Sequence, residues 1–173
     1  MRKELSWIML LSATVVITTL YTRRAVATPA TPPPAFVGTT LAVGLLGEVD
    51  VANRLVLPST GHVWASRQKT RGVSDMYVQN NVWQPGGSTG WHSHPGHSLI
   101  VVTAGTITAY EGDDPDCKPH EYTQGMAFVD HGGSHVHIIR NEGQVDASTI
   151  AVQLVPTGTS RRIDADDPGN CRF

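Results

Sequence analysis

The sequence predicts an all-β domain built from short strands and tight turns. Stretches rich in Val, Ile and Thr recur along the chain with turn residues between them. Seventeen glycines and eleven prolines among 173 residues supply those turns. No apolar pattern of helical period runs for a useful length beyond the N-terminal segment. The length suits one domain with a core of its own and is short for two.

Met1-Arg2-Lys3, the apolar run Trp7–Tyr21 and the small residues Ala25-Val26-Ala27 mark residues 1–27 as a signal peptide or a membrane anchor. The run falls short of the roughly 20 residues that a spanning helix needs. Glu4 and the pair Arg23-Arg24 are atypical of a cleaved leader and keep the anchor reading open. Either way the expected location is outside the cytoplasm, secreted or held on the outer side of the membrane, with membrane contact only through this segment. Residues 28–34, Thr-Pro-Ala-Thr-Pro-Pro-Pro, read as a stiff, extended proline-rich linker.

The folded domain is then 35–173. Strands are expected over Thr39–Leu46, Arg54–Leu57, Asp75–Gln84, Ser98–Thr103, Thr106–Glu111, Met126–Asp130, Val136–Arg140 and Ser148–Leu154. A turn of helix within Leu45–Leu57 is also compatible with the sequence. Ala104-Gly105 reads as a tight turn that makes Leu99–Val102 and Ile107–Tyr110 a hairpin, and Glu142-Gly143 turns the chain into the last long strand.

The formal net charge is −2, and the only basic clusters are pairs such as Arg161-Arg162, so no field exists to hold nucleic acid. Two cysteines, Cys117 and Cys171, lie in polar, turn-like surroundings. In an exported chain an even count favours a disulfide between them, tying the C-terminal tail to a mid-domain loop.

Of the eight histidines, all but His62 and His120 fall in two stretches, Trp91-His92-Ser-His94-Pro-Gly-His97 and His131-Gly-Gly-Ser-His135-Val-His137. Imidazole is the commonest protein ligand for transition metals, and a His-x-His pair on a strand points both rings to one face. Either His135 or His137 can join His92 and His94 on these grounds. Ser93 belongs to the opposite face. Asp113, Asp114 and Asp116 form an acidic turn, best read as a plain hairpin loop. No phosphate-cradling glycine loop and no nucleophile elbow occurs.

At these residues the chain resembles the cupin family. Gly86, five residues, His92-Ser-His94, three residues, Ser98, six residues and Gly105 follow the spacing of the first cupin motif, with Ser98 where that motif has glutamate. Gly125, five residues, His131-Gly-Gly133, then His137 and Asn141, follow the second motif, with His131 in place of proline and one extra residue before His137. The resemblance implies a small jelly-roll (double-stranded β-helix) barrel holding a divalent metal. It assigns His92, His94 and His137 as ligands, with His135 as the alternative third. His97, Ser98 and Trp91 are expected beside the pocket, and Trp83 with Trp91 as its walls.

Neutral imidazoles suit Fe, Zn, Mn, Ni or Cu alike. The expected partner is a small molecule, and a homodimer is implied by the resemblance alone. The activity expected is that of a metal-dependent oxygenase or isomerase. A non-enzymatic barrel that binds metal or a small molecule, or a storage role, fits the same residues.

Overall fold

The computed structural model describes residues 26–173, so the leader expected within 1–27 lies almost wholly outside the described residues. Twelve strands follow in order among them: β1 Phe36–Leu46, β2 Asp50–Val56, β3 Val63–Lys69, β4 Ser74–Trp83, β5 His92–Ser93, β6 Ser98–Ala104, β7 Thr106–Glu111, β8 His120–Thr123, β9 Ala127–Asp130, β10 His137–Arg140, β11 Ala147–Pro156 and β12 Ile163–Asp164. No described residue is helical. One five-stranded antiparallel sheet runs β1-β4-β11-β6-β9, and a second runs β12-β5-β10-β7-β8.

The core lies between these sheets because their inward positions alternate along each strand. β11 shows this most clearly, with Ala147, Thr149, Ala151, Gln153 and Val155 buried and their neighbours half-buried. Trp83, Val102, Ile107, Ala109, Ile139 and Ala147 form the cluster, flanked by Phe36, Tyr122 and Phe128.

Three sequence expectations give way. Leu45–Leu57 holds no helical turn: its residues finish β1 and build β2, whose partner β3 went unforeseen. Leu99–Val102 and Ile107–Tyr110 are not a hairpin. β6 pairs with β9 and β11, β7 pairs with β8 and β10, and the chain crosses between the sheets at Ala104-Gly105. Gly105 has a φ of 67°, and a Cβ there would lie 2.5 Å from the Asp146 carbonyl oxygen and 2.9 Å from the Ala147 Cα. The glycine serves a crossing, which reads locally like a hairpin turn.

The proline-rich stretch lies along the domain and does not stand off from it. Thr31 N–H donates to the Ser88 carbonyl at 2.9 Å, Ser88 N–H donates to Thr31 Oγ1 at 2.9 Å, and Trp91 N–H donates to Thr28 Oγ1 at 2.9 Å.

The C-terminal tail covers the outer face of the second sheet. Trp91, Tyr110 and Ile138 are buried there with Cys171, which is bonded to Cys117. Phe173 packs edge-on to Tyr110, and the Arg140 guanidinium sits 4.0 Å from the centre of the Phe173 ring.

Candidate metal centre

β5 is a two-residue strand held between β10 and β12, and its register sets His92 directly opposite His137. Side-chain alternation on β10 turns His137 and Ile139 inward and Ile138 outward, so His137 enters the barrel from the same side as His92. His94 follows just past the end of β5. The three rings meet: centroid separations are 4.4 Å for His92–His137, 4.8 Å for His92–His94 and 5.5 Å for His94–His137. One ring nitrogen from each lies within 4.8 Å of the others, and all three side chains are buried.

Backbone carbonyls fix two of the rings. His92 Nδ1 sits 2.8 Å from the Gly90 carbonyl oxygen, and His94 Nδ1 sits 2.7 Å from that of Arg161. A carbonyl only accepts, so each Nδ1 carries the proton and each Nε2 keeps its lone pair. This is the second-sphere arrangement that orients metal-binding imidazoles. His137 Nδ1 is buried without a hydrogen-bond partner among the described residues.

Burial holds all three rings in the neutral form that a metal requires. It pushes His92 well below the usual histidine range, with His137 and Arg162 adding to the shift. It lowers His94 against the opposing pull of Asp130, and lowers His137 to about 4 against that same carboxylate. Oriented lone pairs, neutral rings and an orphaned buried nitrogen together fit a divalent transition metal.

The centre forms one wall of a cavity of about 170 Å³ inside the barrel. Ser98 and Ile100 of β6, Gln79 and Trp83 of β4, Thr149 and Gln153 of β11, and Arg161 and Arg162 line it as well. Gln153 is buried, and neither its amide oxygen nor its amide nitrogen has a partner among the described residues. Arg162 donates to the Thr89 carbonyl at 2.8 Å and to Asp164 at 2.6 Å, fixing the segment that returns to β5.

The other expected residues fall elsewhere. β10 starts at His137, so His135 sits in the preceding turn and the two-residue spacing does not bring both rings to one face. His135 Nε2 lies 3.3 Å from Glu111, and His135 falls in a separate group of donor atoms with Asp130 and His137, apart from His92 and His94. Trp91 and His97 are not on the cavity wall: Trp91 packs on the outer face of the second sheet, while the His97 backbone ties to Leu154. Trp83 and Ser98 do line the cavity. His62, His120 and His131 are exposed.

Sequence reasoning missed Asp130, Gln153 and Arg161. Asp130 Oδ2 lies 3.5 Å from His94 Nε2, and its Oδ1 lies 3.6 Å from His137 Nδ1. Gln153 left a readable signal, a polar residue at an inward position of the apolar run Ile150–Val155. Asp130 and Arg161 left none, because only the fold brings them to the histidines.

A family model described as Cupin domain matches residues 82–153, which contain all three clustered histidines. Peruvianin-I, a cysteine peptidase from Thevetia peruviana latex, is 27% identical over 45% of this chain and 49% of its own, with a TM-score of 0.39. A cupin-like protein from Thermotoga maritima is 22% identical over 53% of this chain and 65% of its own, with a TM-score of 0.46. The polyketide cyclase RemF from Streptomyces resistomycificus is 19% identical over 54% and 64%, with a TM-score of 0.44. The chain thus spans less than two thirds of the length of each of these structures. No curated protein sequence matches it. Residues 82–153 of this all-β chain are thus similar to the cupin domain.

Proposed function

We propose that this chain is an exported cupin that holds a divalent transition metal on His92, His94 and His137 and uses it on a small organic molecule in the barrel. The observation that carries the reading is the convergence of three buried, neutral imidazoles on one cavity wall, two with their lone pairs already aimed. The disulfide is compatible with an oxidising location. When bound, the metal supplies Lewis-acid polarisation of an oxygen, or redox chemistry if it is iron or copper.

The protein side of the cavity favours a small, anionic molecule. At about 170 Å³ it is smaller than the several hundred Å³ of sites for drug-sized ligands. The Arg161 side chain lines it without a hydrogen bond or ion pair among the described residues, and Gln153 offers an unpaired amide from another strand. A guanidinium and an amide are the donors that a carboxylate takes. Metal-dependent oxygenase or isomerase turnover of such a molecule is the activity expected.

Capture without turnover is the second reading. It draws support from the cavity wall, where no described residue is a carboxylate, lysine, tyrosine or cysteine able to serve as acid or base.

Elemental analysis of tag-free, reconstituted protein tests the metal. About one ion per chain is expected, lost in His92→Ala, His94→Ala and His137→Ala and kept in His135→Ala. A wild-type protein without stoichiometric metal sinks the reading. Arg161→Ala is expected to weaken binding of short-chain carboxylates about tenfold or more by calorimetry, the loss of one charge-assisted contact.

A further inference from the structure

The first cupin motif carries its carboxylate four residues after the second histidine, and here that residue is Ser98. We propose that Asp130 restores the missing carboxylate from the neighbouring strand, as a fourth protein ligand of the metal held by His92, His94 and His137. This rests on the metal reading above.

Register makes the exchange. β6 and β9 pair so that Ser98 stands directly opposite Asp130, and the two side chains meet inside the barrel. Ser98 Oγ donates to Asp130 Oδ2 at 3.1 Å, and Gly132 N–H donates to Oδ1 at 3.0 Å. Gly132 makes the second bond from a φ of 65°, packed so tightly on the Gly96 backbone that a Cβ would collide with it. The serine is thus the holder of the acid that took its place.

Asp130 lies against two of the three histidines, and its carboxylate forms with His135 and His137 a second set of donor atoms within 4.8 Å of one another. Asp130 Oδ2 is 3.5 Å from His94 Nε2, the nitrogen whose lone pair is free, and Oδ1 is 3.6 Å from His137 Nδ1. Both are long for N–H···O bonds. Donor atoms about 2.0–2.2 Å from one ion at near-tetrahedral or octahedral angles stand roughly 3.0–3.5 Å apart.

Charge points the same way. Asp130 is 6% exposed, and its only ion-pair partners among the described residues are His94 and His137. No lysine or arginine pairs with this buried carboxylate among the described residues, and a divalent ion would supply the cation.

The test compares cobalt(II) affinity and the visible cobalt spectrum for wild type, His92→Ala, Asp130→Ala, Asp130→Asn, Ser98→Ala and the exchange variant Ser98→Glu/Asp130→Ala. Asp130→Ala and Asp130→Asn are expected to weaken binding about 100-fold or more and to shift the cobalt bands, beyond what loss of a second-sphere contact alone would do. Ser98→Ala, which removes only a donor to the carboxylate, is expected to lose less than about tenfold. The exchange variant returns a carboxylate at the motif position and is expected to recover affinity to within a few-fold of wild type.

Asp130 variants that bind as tightly as wild type with an unchanged spectrum overturn the proposal, as does an exchange variant that melts like wild type when metal-free yet fails to recover. If His92→Ala abolishes binding while the Asp130 variants do not, only the fourth ligand is wrong. If wild type takes up no cobalt, the metal reading fails with it.

Discussion

At the scale of single residues, burial decides both the chemistry and its cost. His137 titrates near 4 in the folded chain, against about 6.5 for a free imidazole. As the pH falls through about 6.5 the unfolded chain takes up a proton that the folded chain refuses until about 4. Stability present above that window is therefore lost across it and levels off below. For the metal-free protein, His137 alone accounts for a loss of about 3 kcal/mol between pH 7 and 4, and His92 adds in the same direction. Denaturant unfolding at a series of pH values checks this, and a flat profile refutes it. Asn141, the last residue of the second motif, has a different task. Its amide donates to the carbonyls of Trp83 at 3.0 Å and Val145 at 2.8 Å and accepts from Gly143 N–H at 3.0 Å. Asn141→Ala would strip the buried Trp83 carbonyl of its donor and release the more exposed Val145 carbonyl and Gly143 N–H. A loss of about 2–4 kcal/mol is expected in equilibrium unfolding.

At the scale of elements, the strands divide into those that build the barrel and a pair that does not. β1 and β4 pair from Phe36–Trp83 to Leu46–Ser74, and the β2–β3 ribbon extends beyond that last rung with contacts mainly to itself. Val51, Leu55, Val63 and Trp64 on it are all about half exposed. An isolated two-stranded ribbon is marginal in water. Replacing residues 47–73 with a short Gly-Ser turn should therefore leave the cobalt affinity of the barrel unchanged and its melting temperature within a few degrees. A collapse of either on excision would show that the ribbon supports the core. Hydrogen exchange should likewise run faster in β2 and β3 than in β4 and β11.

At the scale of the whole molecule, closure of the second sheet depends on the tail. The Cys117–Cys171 bond spans a sequence separation of 54 and holds the tail over Trp91, Tyr110 and Ile138. Cys117→Ser/Cys171→Ser is expected to cost about 2–4 kcal/mol. Trp91, now 1% exposed, should then show a red-shifted fluorescence as the cover frays. An unchanged spectrum would mean that packing alone holds the tail. Trp91 also marks where local reading failed. Its place beside His92 suggested a pocket wall, yet alternation sends neighbours on a strand to opposite faces, and Trp91 went outward.

The sequence by itself determined the all-β class, most of the long strands, the turn glycines and the His92–His94 pair. Each is written in a window of a few residues, where two-residue alternation and turn stereochemistry act directly. The short strands β5, β8 and β12 were not legible, since two to four residues carry too little pattern to outweigh their surroundings. Tertiary structure alone decided that β6 and β7 belong to different sheets and that Asp130 faces Ser98, and it brought His137, which the motif spacing put ahead of His135, to the pair. Register and sheet membership come from the summed packing of residues distant in sequence, where no single local choice dominates. The carboxylate missing from position 98 is therefore invisible in the motif and present in the fold, one strand away.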